Sequence, residues 1–144
     1  MYTVTKKFSF CAAHRLPQLL SNHKCSKVHG HNYDLIVTLY SEKLDKDDFV
    51  IDFGELKQLQ KWINKNFDHA ILVYEKDQIL SKIVDQFPEV FKVKRLKFVP
   101  TSENLAKYFA EFIYGKYCND IPLSAVKVEL YESKNNSASY IYSR

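Results

Sequence analysis

Apolar and polar positions alternate from the start of the chain. Tyr2, Val4, Phe8, Phe10 and Ala12 interleave with Thr3, Thr5, Lys7 and Ser9. A period of two is that of a strand with one buried face, so the pattern predicts a strand over Tyr2–Ala12. A stretch rich in His, Ser, Asn and Lys, from Arg15 to Val28, reads as a loop. The β-branched and aromatic run Tyr33–Tyr40 predicts a second strand. Beyond Asp52 the period changes. Leu56, Leu59, Trp62, Ile63 and Phe67 share one helical face, while Lys57, Gln58, Lys61 and Lys65 cover the other. Asp52 is expected to cap that helix, with Glu55 in the capping-box position. A second helix opens at Thr101-Ser102-Glu103, carries Leu105, Phe109, Phe112 and Ile113 as its stripe, and is expected to stop at Gly115 or Asn119. Two strands close the chain, over Ala125–Glu132 and Ser137–Tyr142. The segment Tyr74–Lys97 is the least patterned. It predicts a short helix over Ile79–Phe87, ended by Pro88, and a strand through Leu96–Val99.

The order strand, strand, helix, helix, strand, strand predicts an α+β domain with a hairpin at each end and its helices on one face. At 144 residues the chain suits one domain, residues 1–144. Such a sheet has two open edges, and edges are normally paired or protected, so self-association is expected. Hydrophobic residues at 46% and charged residues at 26% exclude disorder as the main state. The net charge of +4 fits an anionic small molecule as well as nucleic acid and is most simply a solvated surface, while its spread along the chain makes nucleic acid the less expected partner. The three cysteines, Cys11, Cys25 and Cys118, are an odd number and argue against a disulfide framework, so a reducing cytoplasm is the expected compartment. No apolar segment approaches the roughly 20 residues a membrane span needs.

The chemistry concentrates in Cys25-Ser26-Lys27-Val28-His29-Gly30-His31. Two histidines at i and i+2 on extended backbone point the same way. Gly30 is expected to let the backbone come close to what they hold. If the first two strands pair, the loop returns His14 to their side. Three neutral imidazoles with an open fourth position suit catalytic Zn²⁺. Cys25 is open to three readings here: a fourth ligand, a base of lowered pKa, or a bland loop residue. Asp68-His69 is a carboxylate–imidazole dipeptide at a helix end, Glu132 ends an apolar strand, and Thr101-Ser102-Glu103 is most simply a helix cap.

Taken together, these stretches resemble the 6-pyruvoyl-tetrahydropterin synthase superfamily. The resemblance is carried by Phe10-Cys11-Ala12-Ala13-His14-Arg15-Leu16-Pro17, His23 to His31, Ile51-Asp52-Phe53-Gly54-Glu55-Leu56-Lys57, Phe67-Asp68-His69, Pro100-Thr101-Ser102-Glu103 and the final strands through Glu132. Three residues separate Cys25 from His29, as in the bacterial carboxy-forming branch of queuosine biosynthesis. The resemblance implies a tunnelling fold, a four-stranded antiparallel sheet with two helices on one face, assembled into trimers and stacked hexamers with active sites between subunits. It implies a lyase acting on 7,8-dihydroneopterin triphosphate to give 6-carboxy-5,6,7,8-tetrahydropterin, acetaldehyde and triphosphate. His14, His29 and His31 would ligate zinc. Cys25 would be the proton-abstracting base, and His69 with Asp68 a proton relay meeting it across a subunit boundary. Glu132 would anchor the pterin and join the relay, in a pocket lined by Thr101, Ser102 and Glu103. Arg15 and Lys27 are candidate phosphate contacts, with plain surface charge as the alternative. Departures from the family pattern are Leu72-Val73 after the Asp-His pair, Ser133 after Glu132, and the length of Tyr74–Lys97. The competing readings are a sister activity on the same fold and a non-catalytic zinc- or pterin-binding module.

Overall fold

The computed structural model describes residues 1–144. Six strands and three α-helices follow one another as β1 (Tyr2–His14), β2 (His29–Ser41), α1 (Lys57–Asn66), β3 (Ala70–Tyr74), α2 (Gln78–Gln86), β4 (Val93–Leu96), α3 (Ser102–Tyr117), β5 (Leu123–Tyr131) and β6 (Ser137–Ser143), with a short 3-10 turn at Lys24–Ser26. The strands form one sheet in the order β4-β3-β1-β2-β5-β6. The expected four antiparallel strands are present as β1, β2, β5 and β6, and α1 and α3 are the two expected helices. The sheet is larger than expected, because β3 and β4 extend it in parallel, and the short helix expected over Ile79–Phe87 is α2.

The alternation in β1 and β2 decides the core. Phe8, Phe10, Ala12 and His14 are buried on one face, opposite Leu35, Tyr33, His31 and His29 in register. Phe8, Phe10, Ala12, Tyr33 and Leu35 join Val126, Val128 and Leu130 of β5 and the stripes of α1 and α3 in a 28-residue cluster. Each fully buried Leu or Phe contributes roughly 1.5–3 kcal/mol of transfer free energy. Trp62 stacks on Phe112 at 3.9 Å between centroids and closes α1 onto α3.

β3 has a different environment. Ala70 and Leu72 belong to the main core, whereas Ile71 and Val73 pack with Leu80 and Val84 of α2 in a second cluster. The strand is thus covered on both faces, which is why Ala70-Ile71-Leu72-Val73 is an unbroken apolar run with no period of its own. α2 lies on the face of the sheet opposite α1 and α3.

Several boundaries differ from the sequence expectation. Asp52 does not cap α1. Its Oδ1 accepts from Gly54 N at 2.7 Å, closing a local turn, and the helix starts at Lys57 with no side-chain cap. A short carboxylate two residues from an amide takes the nearer donor. Gly115 lies inside α3, which runs on to Tyr117. The strand expected at Leu96–Val99 is β4, shifted to Val93–Leu96 by pairing with β3. Thr101 caps α3 as expected, accepting from Asn104 N at 3.2 Å. All three cysteines are free thiols. No helix is long and apolar enough to cross a membrane.

Candidate active site

Register alone assembles the histidines. His14 is the last residue of β1 and pairs directly with His29, the first of β2, while His31 stands opposite Ala12 on the same face. Ring centroids lie 4.7 Å apart for His14 and His29, 5.1 Å for His14 and His31, and 4.9 Å for His29 and His31. One ring nitrogen of each lies within 4.8 Å of the others, so the trio can hold a metal ion.

The hydrogen bonds behind the rings fix their tautomers. His14 Nδ1–H donates to the Pro100 carbonyl at 2.8 Å, and His29 Nδ1–H donates to the Lys27 carbonyl at 2.7 Å. A carbonyl only accepts, so in both neutral rings Nε2 carries the lone pair. These two Nε2 atoms face each other at 3.2 Å. Two lone pairs at that distance repel unless a proton or a cation sits between them. Burial pushes the His14 pKa down to about 4, against the raising pull of the Pro100 carbonyl, and the neighbouring His29 and His31 push it further down. Burial also lowers His31, against the carboxylate of Glu132. Burial thus favours the neutral, metal-ligating form of His14 and His31, and tetrahedral zinc places two nitrogen ligands about 3.3 Å apart. Carbonyl acceptors behind the ligating rings are the usual outer support of such a site.

Gly30 has a different role from the one expected. Its φ is not positive, and an added Cβ would meet only the Ala12 carbonyl at 3.6 Å, an ordinary contact. It faces away from the imidazoles, as its place between His29 and His31 on a strand requires.

The triad opens into a cavity of about 470 Å³ lined also by Leu16, Lys24, Cys25, Glu132, Ser133 and Asn136. Cys25 stands in that wall but is not among the three donors that converge on one point. Its turn is clamped on all sides. Leu16 N donates to Cys25 O at 2.8 Å, Cys25 N donates to His23 Nδ1 at 3.1 Å, and Ser26 Oγ donates to His23 O at 2.7 Å. Beside it lies a second cavity of about 210 Å³, lined by Thr101, Ser102, Glu103, Glu132 and Asn136 among others. Glu132 therefore borders both spaces. Ser102 Oγ and Tyr33 OH are buried with no partner in the protein. Burial, with the charge of Glu132 second, raises the Tyr33 pKa and keeps its phenol protonated.

Arg15 is not a free phosphate contact. It grips Asp77 with two bonds, Nε to Oδ2 at 2.7 Å and a terminal nitrogen to Oδ1 at 2.8 Å, and its other nitrogen reaches Ser26 O at 3.3 Å. Asp77 is also the cap of α2, accepting from Leu80 N. The pair ties the end of β1, the Cys25 turn and α2 together. Lys27 borders a separate cleft with Arg15, Val28, Ile79 and Ile83. The cation that does line the triad cavity is Lys24, and Asn136 bridges both cavities. Neither stood out in the sequence as a contact, because lysine and asparagine in loops carry no distinguishing pattern.

Asp68 and His69 are placed elsewhere. They form the turn from α1 into β3, with His69 Nδ1 2.8 Å from Asp68 Oδ2. Asp68 Oδ1 accepts from Cys11 N at 2.9 Å, and that bond, more than His69, holds its carboxyl below the ordinary carboxylate range. His69 adopts φ 59°, a left-handed conformation that costs a β-carbon residue roughly 1–2 kcal/mol. Its side chain is 77% exposed. Within one chain, the pair does not share a cavity with Cys25.

Comparison with known proteins agrees with this architecture. The family model described as 6-pyruvoyl tetrahydropterin synthase matches residues 3–142. A protein of Rickettsia typhi named 6-carboxy-5,6,7,8-tetrahydropterin synthase is 34% identical over 136 residues, covering 94% of this chain and 96% of its own. Its namesake from Aquifex aeolicus is 30% identical, covering 96% of this chain and 97% of its own. Among solved structures, the WS1659 protein of Wolinella succinogenes superposes with a TM-score of 0.83 at 22% identity, covering 96% of this chain and 97% of that one. At that identity the likeness concerns the fold alone.

Proposed function

The chain belongs to the 6-pyruvoyl tetrahydropterin synthase family, and on that premise we propose that it is a zinc-dependent 6-carboxy-5,6,7,8-tetrahydropterin synthase. The reaction converts 7,8-dihydroneopterin triphosphate to the carboxypterin, acetaldehyde and triphosphate, a step of queuosine biosynthesis. The names of its relatives support the activity. The observation that carries the reading is the pair of lone-pair nitrogens 3.2 Å apart, beside a cavity that contains a thiol and a carboxylate.

His14, His29 and His31 would hold the ion. When bound, zinc supplies Lewis-acid polarisation of the substrate side-chain hydroxyls. Cys25, as thiolate, takes a proton from the adjacent carbon, and its clamped turn keeps the sulfur directed at the cavity. Glu132 accepts two charge-assisted hydrogen bonds from the amino and ring N–H edge of the pterin. Ser102 Oγ, without a protein partner at the wall of the second cavity, would meet a polar atom of the same ligand. Lys24 offers the cavity wall a cation for the triphosphate. Asp68 orients His69, which returns protons.

His69 reaches Cys25 only from another subunit in this reading. Support comes from the sheet edges. β1 pairs with β3 only over Ala12–His14, so its outer edge before Cys11 is open, and β6 is open along its whole outer side. Head-to-tail pairing of these edges gives a closed trimer, and two trimers a hexamer. Incubating the purified protein with dihydroneopterin triphosphate, with and without chelator, tests the function. Acetaldehyde that disappears with the metal is expected; a pyruvoyl product, or none, overturns the reading.

A further inference from the structure

Cys11 has no part in the chemistry above, yet it completes a second group of donors. Its Sγ lies 3.5 Å from His69 Nδ1, which in turn lies 2.8 Å from Asp68 Oδ2. The three ligand atoms all fall within 4.8 Å of one another. We infer that Cys11, Asp68 and His69 form a second cation site, for zinc or another thiophilic divalent ion, on the face of the sheet opposite the histidine triad.

The geometry suits such an ion. Tetrahedral zinc with ordinary bond lengths sets a sulfur and a nitrogen ligand about 3.5 Å apart, the separation already present between Cys11 and His69. The carboxylate needs to retreat by a few tenths of an ångström. Backbone groups also hold the donors in place. Cys11 N donates to Asp68 Oδ1, and His69 N donates to Cys11 O at 2.7 Å. The left-handed backbone at His69 is maintained by this frame. The nearby Lys92 ammonium is taken up by the Asn64 and Asp68 carbonyls, both at 2.7 Å, and does not occupy the carboxylate. An adjoining cavity of about 340 Å³, bordered by Cys11, Gly30, Asn32 and His69, leaves room for water to complete the coordination. Gly30, whose missing side chain the triad does not need, helps keep that space open.

Binding proceeds with simple proton bookkeeping. The Cys11 thiol releases its proton to solvent as the metal–sulfur bond forms. The His69 proton leaves Nδ1 for the exposed Nε2, and the freed Nδ1 lone pair binds the ion. No electrons are transferred. An ion there also withdraws Nδ1 from Asp68, so excess zinc should inhibit turnover. That consequence rests on the proposed role of His69, while the binding itself does not.

Cobalt titration of the full-length Cys25→Ser protein separates the two sites, because the triad offers only nitrogen. Two equivalents should bind, one of them bringing a near-ultraviolet thiolate-to-cobalt charge-transfer band. Adding Cys11→Ser should remove the band and that equivalent while the other remains, which also shows that the variant is folded. His69→Gln in the Cys25→Ser background should do the same with the thiol intact. A single equivalent without the band before Cys11 is replaced overturns the inference, and so does a band that survives Cys11→Ser. Failure of the proposed activity would instead appear in the product assay and leave this titration unchanged.

Discussion

His14, His29 and His31 stand on adjacent positions of one antiparallel ladder, whereas His69 stands on a turn at φ 59° with an exposed ring. The ladder supplies its geometry from backbone hydrogen bonds that every residue of β1 and β2 shares. Three imidazoles converge there without strain, and the carbonyls of Pro100 and Lys27 set the tautomers of His14 and His29. The turn supplies its geometry by forcing one β-carbon residue into a costly conformation, held by the Cys11 backbone. A site that must bind an ion within one chain gains from the rigid design. A group proposed to serve a neighbouring subunit has to face outward, and the exposed ring of His69 meets that condition.

The sharpest way to break this contrast is to remove one ladder histidine. His29→Ala should lose the triad's equivalent of zinc and abolish turnover, as metal analysis and the product assay would show. His69→Ala should leave the triad's ion in place. Equal metal content in wild type and His29→Ala would mean that the ladder site is not the metal site.

Cys25→Ala should retain the triad's metal and lose turnover by a factor on the order of 100 or more, the range of general acid–base contributions. Mixing unfolded and refolded Cys25→Ala and His69→Ala chains should recover partial activity if the thiol and the relay come from different subunits. No recovery in mixed oligomers would place both in one chain's site.

A smaller effect is expected at the Arg15–Asp77 pair, which anchors the triad side of the molecule. Asp77→Ala leaves a half-buried guanidinium without its carboxylate and should cost about 2–3 kcal/mol in urea unfolding. Hydrogen bonds from Arg15 hold the Asp77 carboxyl below the ordinary carboxylate range, with the Leu80 amide assisting. The folded-state pKa is thus depressed relative to the unfolded chain. Its stabilisation is complete above the ordinary carboxylate pKa, near 4, and is lost as pH falls through the lower folded-state value. Asp77→Asn should flatten that acid limb of the stability profile.

The smallest shift in folding free energy belongs to the turn. His69→Gly relieves the left-handed strain and should raise stability by roughly 1 kcal/mol, despite the loss of its imidazole from the reaction. A glycine variant less stable than wild type would show that the ring itself holds the turn.

Much of the molecule was legible because its signals are local. The alternation of Phe8, Phe10 and Ala12, the stripe of α3 and the Thr101 cap each depend on residues a few positions apart. The His-x-His pair and His14 also declared themselves, since strand periodicity puts them on one side once β1 and β2 pair. β3 was not legible. Its four apolar residues are buried from both faces, and a run without alternation announces neither a strand nor its neighbours. The cap at Asp52 misled for the opposite reason, a local signal satisfied by a still more local donor, Gly54 N.

The residues therefore determined by themselves which chemical groups exist, where the three helices and five of the six strands run, one of them a few residues out of place, and that three histidines share a face. Tertiary structure alone decided what those groups face. It took Arg15 away from any ligand and gave it to Asp77, 62 positions along the chain. It set Asp68, His69 and Cys11 together on the other side of the sheet, and left the hydroxyls of Ser102, at a cavity wall, and Tyr33, in the core, without partners. Side-chain periodicity is a property of neighbouring residues, whereas charge pairing and convergence of donors depend on contacts between distant segments, which exist only after the strands have chosen their register.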